Sequence, residues 1–358
     1  MKKSELLYIG GYTGQNPHCL YVYNHTSPEM DIEELYSYEI TNASYLCFSP
    51  NRQYLYAVIE VESYKNRAGG GVAAFAVEDD GQLRFINDRF TEGGSPCHLS
   101  VSPDGKTLYV ANYNGGSTAI FDLLPTGEIG HMKALVNHND FGPASNAVAG
   151  RQEGPHAHYV QPVYINGNST IWVCDLGLDA VLVLDESGKE LTTFQAPAGF
   201  GPRHLAFHPA LPIAYLVGEF ACAVITLEFS FDTTLCIKAS HEVPVLHRIE
   251  GNAEITCAAI RVSPDCKHLL VSNRISGEEG SISILGLNTA GHITGLQRLI
   301  PSGGCCPRDF AFSPAGNNVF IAHQDSDSVN VFDWSEEEML TPTGTVFEVQ
   351  KPTCVLFG

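Results

Sequence analysis

Six copies of one phrase, a seventh copy split between the chain ends, and no long helical period predict an all-β ring. The expected architecture is a seven-bladed β-propeller with four-stranded blades, a single domain over residues 1–358. The phrase is an apolar triplet, Ser-Pro or His-Pro, a polar turn, then alternating Tyr- and Leu-rich sequence. It reads SYLCFSPNRQYLYAVIE at 44–60, CHLSVSPDGKTLYVANY at 97–113 and RHLAFHPALPIAYLVGE at 203–219. It returns as AIRVSPDCKHLLVSNR at 259–274 and RDFAFSPAGNNVFIAHQ at 308–324. The prolines Pro50, Pro103, Pro209, Pro264 and Pro314 are 53, 106, 55 and 50 residues apart. The 106 is a doubled period. HYVQPVYINGNSTIWVCD at 158–175 fills it, with Tyr164 in the place of the proline.

The seventh copy closes the ring. PTCVLFG at 352–358 matches the first half of the phrase and stops, while ELLYIGGYT at 5–13 matches the second half. The two ends are therefore expected to pair in one blade, which leaves no open sheet edge. Seven units in 358 residues give about 51 residues each, the size of a four-stranded blade. Alternating segments such as GGVAAFAVE, STAIFDLL, AVLVLD, AVITLEF, SISILGL and SVNVFDW supply further strands. WD40 units are shorter and carry a Trp-Asp signature that is absent here. The double glycines at 93–94 and 303–304 precede the first strand of a unit, which is not the kelch position.

Composition excludes whole classes of partner. With 20 Lys+Arg against 40 Asp+Glu the formal charge is −20, so there is no electrostatic footprint for nucleic acid or an anionic membrane. No apolar run approaches the length of a transmembrane helix. Lys2 and Lys3 are followed by Ser4, Glu5 and only a short apolar stretch before Gly10, too little for a signal peptide. A cytoplasmic protein, monomeric or weakly dimeric, is expected. The 11 cysteines form no CxxC pair, and most sit in apolar runs, where a thiol behaves as a small buried hydrophobe. Neither they nor the histidines show a convincing ligand spacing, so no metal and no cofactor are expected.

Repeat geometry locates the candidate site. In a propeller, equivalent positions of successive blades form rings around a central channel. Six residues before each landmark proline stand Ser44, Cys97, His158, Arg203, Ala258 and Arg308. Ten residues after it stand Glu60, Tyr113, Glu219, Arg274 and Gln324, with Asp175 near the same place in the disguised unit. A structural residue would repeat from unit to unit, as the apolar triplet does. These two positions do not, and they carry an unusual share of Arg, His and Glu.

RQEGPHAH (151–158), DLGLD (175–179), GFGPRHLAFHP (199–209), the GE of 218–219, SNR (272–274) and PRDFAFSP (307–314) resemble the bacterial lactonase family. That family is the seven-bladed 6-phosphogluconolactonase group, related to the fungal carboxy-muconate lactonizing enzymes. YIGGYT (8–13) and ANYNGGS (111–117) extend the resemblance over essentially the whole chain. The resemblance implies metal-free hydrolysis of 6-phosphoglucono-δ-lactone in the pentose phosphate pathway. It places the active-site set on His158, Arg203, Glu219 and Arg274, with His156 as neighbour. Two departures concern the substrate: Ala221-Cys222-Ala223 replaces small hydroxyl residues after the Glu, and Ile275-Ser276 with a GEEG insertion follows SNR.

Lactone hydrolysis needs an activated water, stabilisation of the oxyanion and a proton for the departing alkoxide. Either Glu219 or His158 suits the base. An arginine beside Glu219 would hold it ionised and weaken it as a base, which favours His158 as acid/base with Glu219 as its orienting or water-positioning partner. Arg203 and Arg274 offer charged forks for oxyanion or phosphate. His156, Arg308, Asp175 and Gln324 are the expected substrate-binding neighbours, the ligand being a small anionic sugar lactone. No GxSxG elbow points to an acyl-enzyme. Two other functions fit less closely: cyclisation of a muconate-like dicarboxylate on the same arginines, and a non-enzymatic binding platform.

Overall fold

The computed structural model describes residues 3–27, 31–246 and 254–358. Apart from one 3₁₀ turn at His138–Phe141, these residues form strands, turns and loops. Seven antiparallel sheets stand around a central channel, each with four strands in series from the channel outward; blade 5 carries a further short strand, Val243–Pro244, and Ser63–Tyr64 pairs with Arg67–Ala68 in a separate hairpin. Blade 1 runs Pro352–Phe357, Lys3–Gly11, His18–Ser27, Asp31–Glu39. Blade 2 starts at Leu46–Phe48, blade 3 at Pro96–Val101, blade 4 at Ala157–Ile165 and blade 5 at Pro202–Phe207. Blades 6 and 7 start at Ile255–Val262 and Pro307–Phe312. The innermost strands of successive blades touch all the way round.

The expected closure is present. Residues 352–357 pair antiparallel with residues 7–11, with Leu7 opposite Phe357, Ile9 opposite Val355 and Gly10 opposite Cys354. Between neighbouring blades the outward-facing aliphatic residues of one sheet meet those of the next, as where Trp172 of blade 4 packs on Phe207 and Phe229 of blade 5. Such flat faces attract strongly alternating Val, Ile, Leu and aromatic sequence because each blade is buried on both sides.

The landmark Ser-Pro is explained by a turn. Ser49, Ser102, Ser263 and Ser313 each accept a backbone N–H from five residues on, from Tyr54, Thr107, His268 and Asn318. In blade 5 the ring of His208 takes this task, its Nδ1 accepting from Ala210 and Leu211. Blade 4 lacks the landmark because its turn is Asn166-Gly167, both with positive φ (50° and 82°), the backbone a tight hairpin requires.

A second repeated device aims side chains into the channel. In blades 3, 4, 5 and 7 one residue of the innermost strand is left unpaired against its neighbour: Cys97, His158, Arg203 and Arg308. Thr353 of blade 1 is skipped in the same way, and blade 6 has its irregularity between Cys257 and Ile260. A bulge inserts one residue and redirects its side chain. In blades 3, 4, 5 and 7 the ring position six residues before the landmark is thus a β-bulge.

Candidate active site

Glu219 immediately follows the second strand of blade 5, Ile213–Gly218, and Arg203 is the bulge residue of the first strand beside it. Glu219 and Arg203 are each 2% exposed. The two Glu219 oxygens are held by three guanidinium groups. Arg203 Nε donates to Oε2 at 3.0 Å, Arg274 Nη2 of blade 6 lies 3.1 Å from the same oxygen, and Arg151 Nη2 donates to Oε1 at 2.6 Å. Burial opposes ionisation of Glu219, but the charges of Arg274, Arg203 and Arg151 override it and hold the carboxyl far below the usual carboxylate range. The same crowding acts on Arg203, where burial and the Arg274 charge bring the guanidinium down to about 10, still cationic at neutral pH.

Arg151 comes from outside the repeat, on the loop that joins blades 3 and 4. Gln152 Nε2 anchors that loop to Leu176 O at 2.7 Å and Asp179 Oδ1 at 2.8 Å. Asp179 also accepts from the N–H groups of Gly199 and Gly201 at 2.7 Å each, fixing the turn that leads into Arg203. Gly177 lets the loop approach: a Cβ there would lie 1.8 Å from Gly154 O. The DLGLD and GFGPR motifs therefore set Arg151 and Arg203, two of the three arginines that meet on Glu219.

His158 is buried, with its ring across those of Tyr113 (5.5 Å) and His204 (5.3 Å). Its Nδ1 has no protein partner. Burial and the Arg203 charge push its proton affinity well below that of a free imidazole, so the ring is neutral at neutral pH. Because both Glu219 oxygens are taken up by arginines, the orienting contact expected between Glu219 and His158 is replaced by the three-arginine clamp. His204 and His98 of the neighbouring ring are pushed down in the same way, first by burial and then by charges that include Arg203.

A second cluster stands across the channel. Arg308 donates to Tyr12 Oη at 2.9 Å and to Gln324 Oε1 at 3.1 Å. Tyr12 in turn donates to Glu60 Oε1 at 2.9 Å, and Ser44 Oγ donates to Glu60 Oε2. Ser44, Glu60, Cys97, His158, Arg203, Arg308 and Thr353 share the wall of one small cavity of about 10 Å³, room for a single water. Arg203, Glu219 and Arg274 thus converge, with His158 and Arg308 on the same cavity as Arg203.

The other three expected substrate-binding residues, Asp175, His156 and Gln324, do not line that cavity themselves. Asp175 is fully buried and bonds His138 Nδ1 at 2.7 Å and the N–H groups of His156 and Leu178 at 2.8 and 2.9 Å. Its pairing with Ala157 makes it the counterpart of Gly218, so Leu176 takes the ring position in blade 4. One residue of offset turns a strand side chain to the other face. His156 stacks on Tyr113 at 4.5 Å, its Nδ1 3.1 Å from Tyr113 O, and Gln324 serves Arg308. Tyr12 and Arg151 escaped the sequence reading. Tyr12 aligns with Tyr113 once the split repeat is joined, whereas Arg151 has no repeat position and only its place in RQEGPHAH marks it.

Three neutral imidazoles in one channel make a pH prediction. In the unfolded chain His98, His158 and His204 take up protons near pH 6.5, while in the folded chain all three resist protonation. Their contribution is complete above about pH 6.5 and is lost as the pH falls toward the folded values, at up to about 1.4 kcal/mol per pH unit for each ring. Glu219, also depressed, adds its loss only below about pH 4.3. Melting temperature is expected to drop between pH 7.5 and pH 5.5. A flat profile there would contradict neutral burial of these rings.

The fold and this mouth define a class: a closed propeller that gathers arginines and two carboxylates at one end of its channel, as suits an anionic ligand. The chain belongs to the lactonase family of seven-bladed β-propellers, whose model matches residues 6–357. It is 28% identical to the 6-phosphogluconolactonase of Bacillus subtilis strain 168, over 98% of this chain and 97% of that one. A periplasmic gluconolactonase of Pseudomonas aeruginosa superposes with a TM-score of 0.88 at 25% identity, over 99% of both chains. A crystal structure of a Lactobacillus plantarum protein gives 0.86 at 25% identity, over 99% of this chain and 100% of that one. The family and these relatives support a lactone hydrolase.

Proposed function

We propose that the chain hydrolyses a sugar lactone carrying a phosphate, 6-phosphoglucono-δ-lactone, to the corresponding acid. One observation carries this reading. Four guanidinium groups, of Arg151, Arg203, Arg274 and Arg308, gather at one mouth against two carboxylates, Glu219 and Glu60, in a chain of net charge −20. The excess is cationic where the rest of the protein is anionic. Two buried donors, Arg203 Nη1 and Arg274 Nε, have no protein partner and are free for ligand oxygens.

In the hydrolysis, negative charge develops on the lactone carbonyl oxygen. Arginines already fixed by Glu219 stabilise that charge without reorganising. Glu219 acts as a permanently ionised clamp rather than a base. The neutral ring of His158 gives a hydrogen-bonding edge to substrate. The names of the relatives differ by one phosphate, and that difference is the test. In calorimetric titration, 6-phosphogluconate is expected to bind at least about tenfold more tightly than gluconate, about 1.4 kcal/mol. Raising salt should narrow the gap, and Arg274→Ala should largely erase it. Equal affinity for the two acids would overturn the phosphate preference, and tighter binding of an unsaturated dicarboxylate than of either would favour cyclisation.

A further inference from the structure

We propose that Glu60 is a second functional carboxyl of this site, the group that exchanges protons with the reacting water and leaving oxygen. This rests on the lactone-hydrolase reading. Blade 2, which carries Glu60 immediately after its second strand, Tyr54–Ile59, stands three blades from blade 5 in a ring of seven, nearly opposite Glu219. Glu60 shares the central cavity with His158, Arg203 and Arg308. Among the described residues the one other carboxyl on that cavity, Asp309, is committed to Arg261 Nη2 at 2.8 Å and to the N–H of Val355 at 3.1 Å.

The neighbours of Glu60 are those of a group that changes its protonation. Ser44 and Tyr12 both donate to it, and Tyr12 is backed by Arg308, so its carboxylate is held in one orientation while the arginine stays one hydroxyl away. Glu219, by contrast, meets three guanidinium groups directly. Burial raises the proton affinity of Glu60, opposed by Arg308, Ser44, Tyr12 and Arg203. For the other candidates the environment acts the opposite way: it lowers the affinity of Glu219 and of His158. Cys97 and Tyr45, also on that cavity, are raised by burial and keep their protons, and His204 is lowered by burial and stays neutral. Carboxyls driven apart in this way divide into an exchanging group and a fixed charge.

The step balances with water alone. The Glu60 carboxylate takes a proton from water as its oxygen bonds to the lactone carbonyl carbon, and the carbonyl electron pair moves to the oxygen facing the arginines. As the oxyanion collapses, the ring C–O bond breaks and the proton on Glu60 passes to the departing ring oxygen. Glu60 is a carboxylate again, and the product acid releases its own proton to solvent.

The test compares kcat, KM, pH profile and 6-phosphogluconate binding for wild type, Glu60→Gln and His158→Asn. Glutamine keeps the size of the side chain and can still meet Ser44 and Tyr12. Glu60→Gln is expected to lose roughly 10²–10⁴ in kcat, to bind 6-phosphogluconate within about threefold of wild type, and to lose the acid limb of the kcat/KM profile. His158→Asn should keep that limb. A Glu60→Gln protein within about threefold of wild-type kcat, loss of product binding along with kcat, or a limb that vanishes with His158→Asn instead would each overturn the assignment. A wild type that does not accelerate lactone hydrolysis would overturn the hydrolase reading, and the assignment with it.

Discussion

A chain that ends at Lys351 is expected not to reach a stable fold. Removing residues 352–358 takes away the innermost strand of blade 1 and exposes the full edge of residues 7–11. Cys354, Val355 and Phe357 are buried in the cores on either side of that blade. Each such side chain is worth about 1.5–3 kcal/mol on burial, and the lost ladder and closure add to this. The total rivals the whole stability of a typical protein, about 5–15 kcal/mol. The deletion also strips Asp309 of the Val355 N–H it accepts, which loosens the partner of Arg261 at the channel wall. Expression of the truncated chain should give aggregated protein or a melting temperature lower by well over 10 °C. A truncated protein that melts with the full chain would show that blade 1 holds without its inner strand.

The second large effect concerns the clamp. Glu219→Ala leaves Arg203 buried without its carboxylate, 15% exposed Arg274 beside it, and Arg151 released. Removing one partner of a buried pair costs about 3–5 kcal/mol, because the remaining charge stays buried and uncompensated. Arg151 adds little to this, since its side chain is 38% exposed and solvent can take it up. Activity should fall with stability, because the guanidinium groups repel one another out of register. Glu219→Gln should cost less stability but disperse the arginines all the same. Thermal melts and a lactone assay on both variants check this. A Glu219→Ala protein that melts within about 2 °C of wild type and stays active would remove the clamp from the account.

The ring was legible in the sequence because its cause repeats. Each Ser-Pro marks a turn whose serine closes on the following strand, and the spacing of those turns counts blades. The bulge residues were legible as positions, His158, Arg203 and Arg308 among them, because a bulge falls at a fixed distance from the turn. What position cannot supply is register. Asp175 stands one residue short of the channel because blade 4 reaches its turn by Asn-Gly, without the landmark that dates the other blades. Nor can a repeat reveal a residue from outside it. Arg151 arrives on a loop held by Asp179 and Gly177, and only the folded chain shows that this loop closes on Glu219. The direction of the proton affinities was hidden for a related reason. His158 and Glu219 resemble an acid/base pair in sequence, while burial and four arginines decide that one stays neutral and the other stays charged.

The most direct test is steady-state hydrolysis of 6-phosphoglucono-δ-lactone, followed above its spontaneous rate, with glucono-δ-lactone measured alongside. Wild-type protein should accelerate the phosphorylated lactone, with kcat/KM at least about tenfold above that for the unphosphorylated one, a difference of about 1.4 kcal/mol. Arg203→Ala and Arg274→Ala should lower that ratio. A wild-type protein that leaves both lactones at their spontaneous rates would contradict the account.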